Sequence, residues 1–378
     1  MSQAAKTTIQ LIDSFDDIAP AAWDVLTDGT PLMRHAFFSA LENSGSVGRG
    51  TGWTPQPLIV TQGDELIGAM PLFLKTNSYG EYVFDWAWAD AYNRSGLEYY
   101  PKLLAAIPFS PITSSRLLAH TSETKQTMIA ALEAVMQQHK LSSTHVLFPN
   151  DSDASQFEAA GWLKRVGVQF RWQNKNYTDF EDFLKTLSHD KRKKIHQERK
   201  KIAAAGVVCQ AIKGVDASQS DWDFFYQCYC NTYQEHRSAP YLTRAFFSEI
   251  SQTMPQNIVL FMANIDGKPI ASTLNIVGNS TLYGRYWGAV QFVSGLHFEL
   301  CYYQAQQFCI DEKIDFFEGG AQGEHKLARG FEPRPTCSYH KIAHPDFELA
   351  IKDFVQRESA GMAAYTNELE ERAPFKQI

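Results

Sequence analysis

The spacing of hydrophobic residues changes between strand-like and helix-like segments along the chain. Apolar and polar residues alternate over residues 7–12, whereas residues 16–26 and 34–43 have the periodicity of amphipathic helices. Two apolar runs, 57–61 and 66–75, flank Gln62-Gly63-Asp64-Glu65, whose glycine and aspartate favour a tight turn. The first part of the chain therefore predicts a strand, two helices and a β-hairpin.

The later segments predict a similar order of elements. A strand over 82–88, the loop ADAYNRSG and a helix over 97–106 come first, followed by strand, helix, strand, helix and strand between 114 and 172. The second half predicts the strands 206–212, 258–265, 270–277 and 282–288 and the helices 189–204, 219–235, 243–251 and 296–312. A last helix over 347–372 either packs on its own domain or mediates a dimer, so the oligomeric state stays open.

Two segments of the chain resemble each other. GDELIGAMPLFL followed by SYGEYVFDWAW is similar to DGKPIASTLNIV followed by TLYGRYWGAV, and the flanking helices also correspond. Such self-similarity is typical of repeated units. The length also exceeds what one core usually supports. We therefore predict a first domain over residues 1–175 and a second over 176–378.

The composition of the 378-residue chain narrows its class. Hydrophobic residues make up 44% and charged residues 20%, which is typical of a folded α/β protein. The net charge of -7 argues against a protein that coats nucleic acid or membrane over its whole surface, but it allows a local basic patch. Residues 1–10 lack a secretory signal and no apolar run approaches a membrane span, which predicts a cytoplasmic protein. The six cysteines predict free thiols.

The richest candidate chemistry follows the predicted strand 314–317, in the segment EGGAQGEHKLARG. Loops after strands in α/β units are frequent ligand sites. The glycines permit a close backbone approach, and the polar side chains supply acids, bases and hydrogen-bond donors. These residues are Glu318, Gly319, Gly320, Gln322, Gly323, Glu324, His325, Lys326 and Arg329. A glycine-rich turn with a solvated helix behind it is the structural alternative.

Several long motifs in order resemble the FemAB-like branch of GNAT-type N-acyltransferases. They are YYPKLLAAIPFSPITSSRLL, HDKRKKIHQERKKI, APYLTRAFF, GLHFELCYYQ and EGGAQGEHKLARGFEP, and the likeness covers nearly the whole chain. The resemblance implies tandem GNAT-like domains, each a mixed central sheet flanked by helices, and a role in peptidoglycan biosynthesis or recognition. It implies an acyl-CoA or aminoacyl-tRNA donor, an amine acceptor, and no tightly bound cofactor or metal.

The reaction implied by the resemblance suggests roles for the candidate residues. Attack of an amine on an activated carbonyl needs a proton acceptor, for which His325 has the suitable intrinsic pKa and Glu318 would need burial. Backbone amides between Gly319 and Gly323 are candidates for oxyanion stabilisation, and Lys326 and Arg329 for neutralising phosphate or carboxylate. Where acyl-CoA enzymes of this fold carry a glycine-rich phosphate loop, this chain has AVQFVSG, in which only Gly295 remains.

Further residues are candidates for substrate binding. The aromatic helix LHFELCYYQ contains His297, Glu299, Tyr302 and Tyr303. Either His297 and Glu299 line the cleft and the two tyrosines shape an acyl pocket, or all four are satisfied core residues. Asn93 and Arg94 lie where the repeat places the corresponding cleft of the first half, which makes them candidates for binding the acceptor.

The helix over 189–204 is strongly basic. Its seven cations, Lys191, Arg192, Lys193, Lys194, Arg199, Lys200 and Lys201, face only Asp190 and Glu198. Contacts with the phosphates of tRNA would explain such a surface. The alternative is a helix that docks through its apolar face and keeps its charges in water.

The sequence thus predicts an N-acyltransferase acting on an amine of a cell-wall precursor or of another small metabolite. One alternative is an acyl-CoA-dependent N-acyltransferase of the same fold. The other is a noncatalytic protein that binds a glycan precursor or nucleic acid.

Overall fold

The computed structural model describes residues 6–320, 323–372 and 374–376. Within these ranges the chain folds into two compact units, unit 1 from 1–167 and 335–364 and unit 2 from 168–334 and 365–378. The predicted boundary at 175/176 lies near the first crossing between the units. The second domain is not the continuous segment 176–378 that the sequence predicts, because residues 335–364 return to unit 1.

Unit 1 contains two groups of strands with helices packed against them. In spatial order, the four-stranded sheet consists of β1 (Thr7–Leu11), β3 (Leu58–Gln62), β4 (Glu65–Met70) and β7 (Leu118–Ala119). The second group consists of β2 (Trp53–Pro55), β5 (Leu72–Lys75), β6 (Lys102–Ala105), β8 (Ser143–Leu147) and the end of β15 (Glu332–Ile342). The helices are α1 (Pro20–Asp24), α2 (His35–Asn43), α3 (Trp86–Arg94), α4 (Ser122–Gln138), α5 (Asp151–Ala159) and the first part of α12 (Pro345–Glu371).

Unit 2 is built on one mixed sheet. Its strands, in spatial order, are β10 (Val207–Lys213), β11 (Ile258–Ile265), β12 (Lys268–Gly278), β13 (Thr281–Ala289), β14 (Phe316–Glu318) and the end of β9 (Leu163–Gln173). The helices are α6 (Phe180–Thr186), α7 (His189–Ala204), α8 (Gln219–Glu235), α9 (Arg244–Thr253), α10 (Leu296–Phe298) and α11 (Gln304–Asp311). A π-helical turn, Glu299–Tyr303, joins α10 to α11, and a 3-10 helix spans Glu324–Arg329.

The order of elements in unit 2 is that of a GNAT core. A strand, two helices, a two-stranded hairpin, a fourth strand, a helix and a fifth strand follow one another from β10 to β14. Asp266 and Gly267 join the hairpin strands with φ angles of 49° and 75°, as a two-residue type I′ turn requires. The α/β fold class and the predicted helices 189–204 and 219–235 are therefore confirmed.

The sequence prediction is wrong for residues 82–106. In place of a strand, a loop and a helix, the structure has an irregular segment before α3, then α3 itself, and then β6. Glu81 and Asp85 turn inward to bind the buried ammonium group of Lys102 at the start of β6. This polar anchor replaces the alternation of a strand, so the repeat between the halves holds for the hairpin but not for the segment after it.

Each unit has its own hydrophobic core. Leu103, Val146 and Phe157 are buried in unit 1, and Phe183, Leu300 and Phe317 are buried in unit 2. In the ranges that the structure describes, no helix is long and apolar enough to cross a membrane.

Candidate functional site

A cleft opens in unit 2 where β13 runs on beyond the end of β14. The two strands pair in parallel only over Thr281–Tyr283 and Phe316–Glu318. Beside the unpaired part of β13 lies a cavity of about 140 Å³. Its lining residues are Thr273, Asn275, Gly284, Arg285, Tyr286, Trp287, His297, Cys301, Tyr302, Phe317 and Gly319. The chain therefore has a pocket at the point where two neighbouring parallel strands of unit 2 separate.

A β-bulge shapes the wall of this cleft. Leu274 pairs with Tyr286 and Asn275 pairs with Gly284, so that Arg285 is an extra residue in β13. Bulges bend a strand and redirect its side chains, and they are frequent next to active sites. The bulge explains why four consecutive residues of β13 reach the cleft when a regular strand would present only every second one.

The π-helical turn supplies the opposite wall. His297, Cys301 and Tyr302 face the cleft from α10 and from this turn. Insertion of a π turn into an α-helix changes which residues share a face, and such turns are frequent at functional sites. This second wall carries one imidazole, one phenol and one thiol.

His325 joins this site through Tyr302. The Tyr302 hydroxyl lies 2.9 Å from Nε2 of His325, which itself lies on the 3-10 helix after the glycine-rich segment. Gly323 has a φ of +106°, and a Cβ atom on it would lie 2.4 Å from the His325 ring. A glycine is therefore required for the imidazole to occupy this position.

Arg329 fixes the backbone of His325. One of its terminal nitrogens donates to the His325 carbonyl at 2.8 Å, and the other binds a Glu198 carboxylate oxygen at 3.0 Å. Its guanidinium lies 3.5 Å from the centre of the Phe298 ring, and the residue is only 3% exposed. The Tyr303 hydroxyl also donates to Glu198. Arg329 is therefore a brace between α7 and the His325 segment, whereas the sequence suggested that it binds donor phosphate.

Lys326 and the neighbouring glycines also have internal roles. The buried Lys326 ammonium donates to the Gly320 carbonyl at 3.1 Å. The Gly319 amide donates to the Phe170 carbonyl at 3.0 Å, so it is not the oxyanion donor that the sequence suggested. Gly319 does line the cleft, and a Cβ atom there would lie 2.7 Å from the Phe331 ring. Gln322 lies outside the described residues.

Glu318 lies on the other face of β14. Side chains alternate along a strand, and Phe317 and Gly319 face the cleft. Glu318 is paired with Arg171, whose Nε lies 2.6 Å from its carboxylate. Burial raises the pKa of Glu318 while Arg171 opposes the shift. This placement favours a structural ion pair over the role of general base.

The other predicted substrate-binding residues are dispersed. Glu299 is buried and bound by Gln304 at 2.7 Å and by Arg199 at 3.3 Å, and Tyr303 is fully buried against Glu198. Both therefore face away from the cleft, towards α7. Gly295 precedes α10 with a φ of +88°. Asn93 and Arg94 are exposed on α3 in unit 1, where Arg94 pairs with Asp90 at 3.1 Å.

The environment keeps both histidines of the site neutral at pH 7. Burial, followed by the charges of neighbouring His325, Arg329 and Lys326, lowers the pKa of His297 to about 4. Burial, followed by Lys326 and Arg329, also lowers the pKa of His325 below its ordinary value of 6.5. Neutral imidazoles are able to accept a proton or donate an uncharged hydrogen bond.

Two buried cysteine thiols have raised pKa values, in contrast to the lowered pKa values of the two histidines. Burial raises the pKa of Cys301 in the cleft and raises that of Cys228 to about 12. All six cysteines are unpaired. Because a protonated thiol is a poor nucleophile, neither residue is suited to covalent catalysis.

Sequence reasoning left two residues of this arrangement, Arg285 and Glu198, without a site role and considered Tyr302 only for shaping an acyl pocket. Arg285 reaches the cleft through a bulge, and Tyr302 through a π turn, neither of which leaves a clear periodicity in the sequence. Glu198 was interpreted only as a minority charge in a basic helix. A signal for Glu198 was available in the sequence. At helical spacing Glu198 lies on the same face as the buried Ile195 and Ile202, where a carboxylate needs a partner.

Comparisons with known proteins agree with this geometry. The profile of the FemAB-like family, described as peptidoglycan biosynthesis/recognition, matches residues 14–377. The structure is similar to that of FemX, with a TM-score of 0.55 and 10% identity over 89% of this chain and 98% of that one. It is also similar to L-PGS from Bacillus licheniformis, with a TM-score of 0.52 and 8% identity over 89% and 95%.

A protein of unknown function from Bacteroides thetaiotaomicron also aligns, with a TM-score of 0.50 and 12% identity over 89% of this chain and all of the other. No curated protein matches the chain in sequence. The structural likenesses show a shared fold. The chain belongs to the FemAB-like family, which confirms the family that the sequence motifs indicate.

Proposed function

We propose that this protein transfers an aminoacyl group from aminoacyl-tRNA to an amine of a cell-wall precursor, in the cleft between β13 and β14. The observation that carries the proposal is the Tyr302–His325 pair at 2.9 Å, in which the phenol faces the cleft and the imidazole lies behind it. Such a pair connects a reacting amine in the cleft to a base of suitable pKa.

The proton pathway follows from this pair. The neutral amine attacks the ester carbonyl, and as the new C–N bond forms its proton passes to the Tyr302 oxygen while Tyr302 gives its own proton to Nε2 of His325. Collapse of the intermediate breaks the ester bond, and the leaving hydroxyl takes the proton back by the same route. This pathway requires Nε2 to be unprotonated at the start, in agreement with the lowered pKa of His325. The carbonyl oxygen would be stabilised by amides on the side of β13 that faces away from β12 and by the neutral His297.

The basic face of α7 supports a polyanionic donor. Ile195 and Ile202 dock the helix into the core, as the sequence predicted for its apolar face. The rest of the helix surface carries six cations that have no carboxylate within 4.0 Å among the described residues: Lys191, Arg192, Lys193, Lys194, Lys200 and Lys201. A groove of about 330 Å³ on this face is lined by His189, Arg192, Lys193, His196, Gln197 and Lys200. Glu198 connects the same helix to Arg329, so a ligand on α7 lies on the element that braces the His325 segment.

The loop between β13 and α10 also favours tRNA over acyl-CoA. Only Gly295 in this loop provides the flexible backbone that would cradle a pyrophosphate. Phe292, in contrast, is 91% exposed. An exposed aromatic ring beside an acyl-transfer cleft is suited to stacking on an unpaired base such as the one at the end of a tRNA.

A transfer assay with labelled donors tests the proposal. Aminoacyl-tRNA should give a labelled product with a nucleotide-linked cell-wall precursor that bears a free amine, and His325→Gln should abolish it without loss of tRNA binding. Turnover with acyl-CoA and none with aminoacyl-tRNA would instead support the acyl-CoA reaction. Ligand binding without turnover for every donor would support the noncatalytic alternative.

The salt dependence of tRNA binding provides an independent test. Removal of one phosphate-binding cation should reduce the slope of log affinity against log salt by about 0.7 to 0.9. The slope should decrease when glutamine replaces four exposed lysines of α7, Lys193, Lys194, Lys200 and Lys201. A matched control replaces four exposed lysines elsewhere, Lys140, Lys268, Lys313 and Lys352, with no change expected. Equal slopes for the two variants would exclude α7 as the tRNA site.

A further inference from the structure

The segment between β5 and α3 in unit 1 has its polar side chains inside and its aromatic side chains outside. Ser78, Glu81 and Asp85 are buried. Between them are exposed rings, with Tyr79 at 58%, Phe84 at 56%, Trp86 at 41% and Tyr82 at 37%. This arrangement is the reverse of the usual one, in which a surface segment buries its aromatic residues. An exposed aromatic cluster of this kind is typical of an interaction site.

The inward side holds the segment rigidly. The ammonium of Lys102, itself fully buried, binds Asp85, the Glu81 carboxylate at 2.9 Å and the Ser78 hydroxyl at 2.9 Å. The backbone is held as well, because the Tyr79 carbonyl accepts from Nε1 of Trp53 at 3.0 Å. The exposed rings are thus mounted on a buried ionic anchor.

The backbone of this segment is also strained at one exposed ring. Tyr82 has a φ of +64°, a region that residues with a large side chain rarely occupy. Such strain persists only where the surroundings hold the chain in place, and it is concentrated at ligand-binding segments. A fixed platform loses little conformational entropy when a ligand binds, which favours weakly interacting ligands.

Two of the rings form an angled pair. The centroids of Tyr79 and Trp86 are 5.0 Å apart and their planes are inclined at 62°. Each ring offers an apolar face and a polar tip, the phenol hydroxyl or the indole N–H. A ligand that suits this pair needs a flat C–H surface for the ring faces and hydroxyl or amide groups at its edges. Pyranose sugars have both features.

The charge around the rings distinguishes a sugar from other partners. Between residues 76 and 98 the exposed charged side chains are Asp90, Arg94 and Glu98, a net charge of -1, and Asp90 and Arg94 pair with each other. Arg165 donates to the Phe84 carbonyl at 2.8 Å, and its charge is neutralised by Glu358 at 2.6 Å. Nucleic acids and anionic membranes need a basic surface, which this segment lacks. A neutral saccharide needs none.

From these observations we propose that Tyr79 and Trp86, flanked by Tyr82 and Phe84, form a saccharide-binding platform in unit 1. The proposal rests on the proposed function in one respect: it takes the sugar to be of the cell-wall type that the proposed acceptor contains. The platform binds the sugar whether or not the reaction in unit 2 takes place, so the two proposals are tested separately.

The test is saturation-transfer NMR and calorimetry on the full chain with two soluble probes, chitotriose and the N-acetylglucosaminyl-N-acetylmuramic acid disaccharide. Tyr79→Ala and Trp86→Ala should each weaken binding by about tenfold or more, the loss typical of removing an aromatic anchor. Trp86→Phe should retain most of the affinity, which also guards against misfolding of the alanine variant. Val215→Ala removes an exposed apolar side chain from unit 2 and should bind as the wild type does.

Three results would overturn the platform. These are absence of binding to both saccharides, equal binding by the wild type and the Tyr79 and Trp86 variants, or a wild type that instead binds phosphatidylcholine vesicles or self-associates through these rings. The His325→Gln variant separates the two proposals. If it and the wild type bind saccharide equally and neither transfers an aminoacyl group, then the proposed function fails and the platform stands.

Discussion

Tyr302→Phe is the most direct perturbation of the proposed site, because it removes one hydroxyl and leaves the ring. That hydroxyl forms the hydrogen bond between Tyr302 and Nε2 of His325, at 2.9 Å. Loss of a positioned general acid–base group typically costs about 10²- to 10⁴-fold in rate. We therefore expect kcat to fall by about two to three orders of magnitude, with little change in the affinity for donor.

The stability of this variant should change little. His325 is exposed, so water can replace the missing bond, and the free energy of unfolding should decrease by no more than about 1 kcal/mol. The matched control is Tyr303→Phe, which makes the same change one residue further on, where the hydroxyl binds Glu198 and faces α7. Tyr303→Phe should lower stability more than Tyr302→Phe and should retain most of the activity.

The pH profile supplies the third measurement. The pKa of His325 lies below 6.5, so the imidazole is neutral and able to accept a proton above that value. Activity should therefore decrease as the pH falls through an apparent pKa below 6.5, and Tyr302→Phe should weaken this limb. The relay would be refuted if Tyr302→Phe kept wild-type kcat, or if only Tyr303→Phe reduced it.

Three further variants test other parts of the site. Burial lowers the pKa of Lys326 to about 8 from its ordinary 10.5. Between these two pH values the unfolded chain therefore binds more protons than the folded chain, so the stability of the wild type should rise with pH. Lys326→Met should remove that rise and should stabilise the protein at pH 7 by about 1–2 kcal/mol. Denaturant unfolding at several pH values would measure both effects. Gly323→Ala should displace the His325 ring and cost about 1–3 kcal/mol, with a loss of kcat comparable to that of Tyr302→Phe. Glu198→Ala should cost about 3–5 kcal/mol by leaving the buried Arg329 unpaired, whereas the exposed Glu181→Ala should change stability by less than about 0.5 kcal/mol.

The sequence predicted the elements whose stability is local or strongly periodic. The helices α7 and α8 begin and end where predicted, because their apolar spacing and the serine residues before them are visible in the sequence. The two strands of the hairpin β11–β12 were predicted, and Asp266-Gly267 between them is one of the few sequences that favour a turn with two positive φ angles. His325 and His297, which the sequence singled out as candidates, both lie at the cleft in unit 2, and their roles stay predictions.

The roles of the charged residues could not be predicted, because these depend on partners far away in the sequence. Arg329 and Lys326 are cations of the kind that bind phosphate. In the structure they bind Glu198 and the Gly320 carbonyl instead, so that they stabilise the fold around the site. Glu318 changes role for another reason: its position on β14 places it on the face opposite Phe317, and the register of a three-residue strand has too little periodicity to show that.

The dependence on partners far away in the sequence also explains the wrong prediction for residues 82–106 of unit 1. The aromatic run SYGEYVFDWAW has the composition of a buried strand, and on hydrophobicity alone its rings should enter the core. Glu81 and Asp85 occupy the core position instead, because they pair with the buried Lys102. Leaving the charge of Lys102 buried and unpaired would destabilise the fold far more than exposing the aromatic rings does. Burial of an ion cluster and exposure of four aromatic rings both reduce the apolar surface that this fold removes from water. Selection for stability alone would favour the reverse arrangement, so the exposure of these rings is better explained by a ligand that covers them.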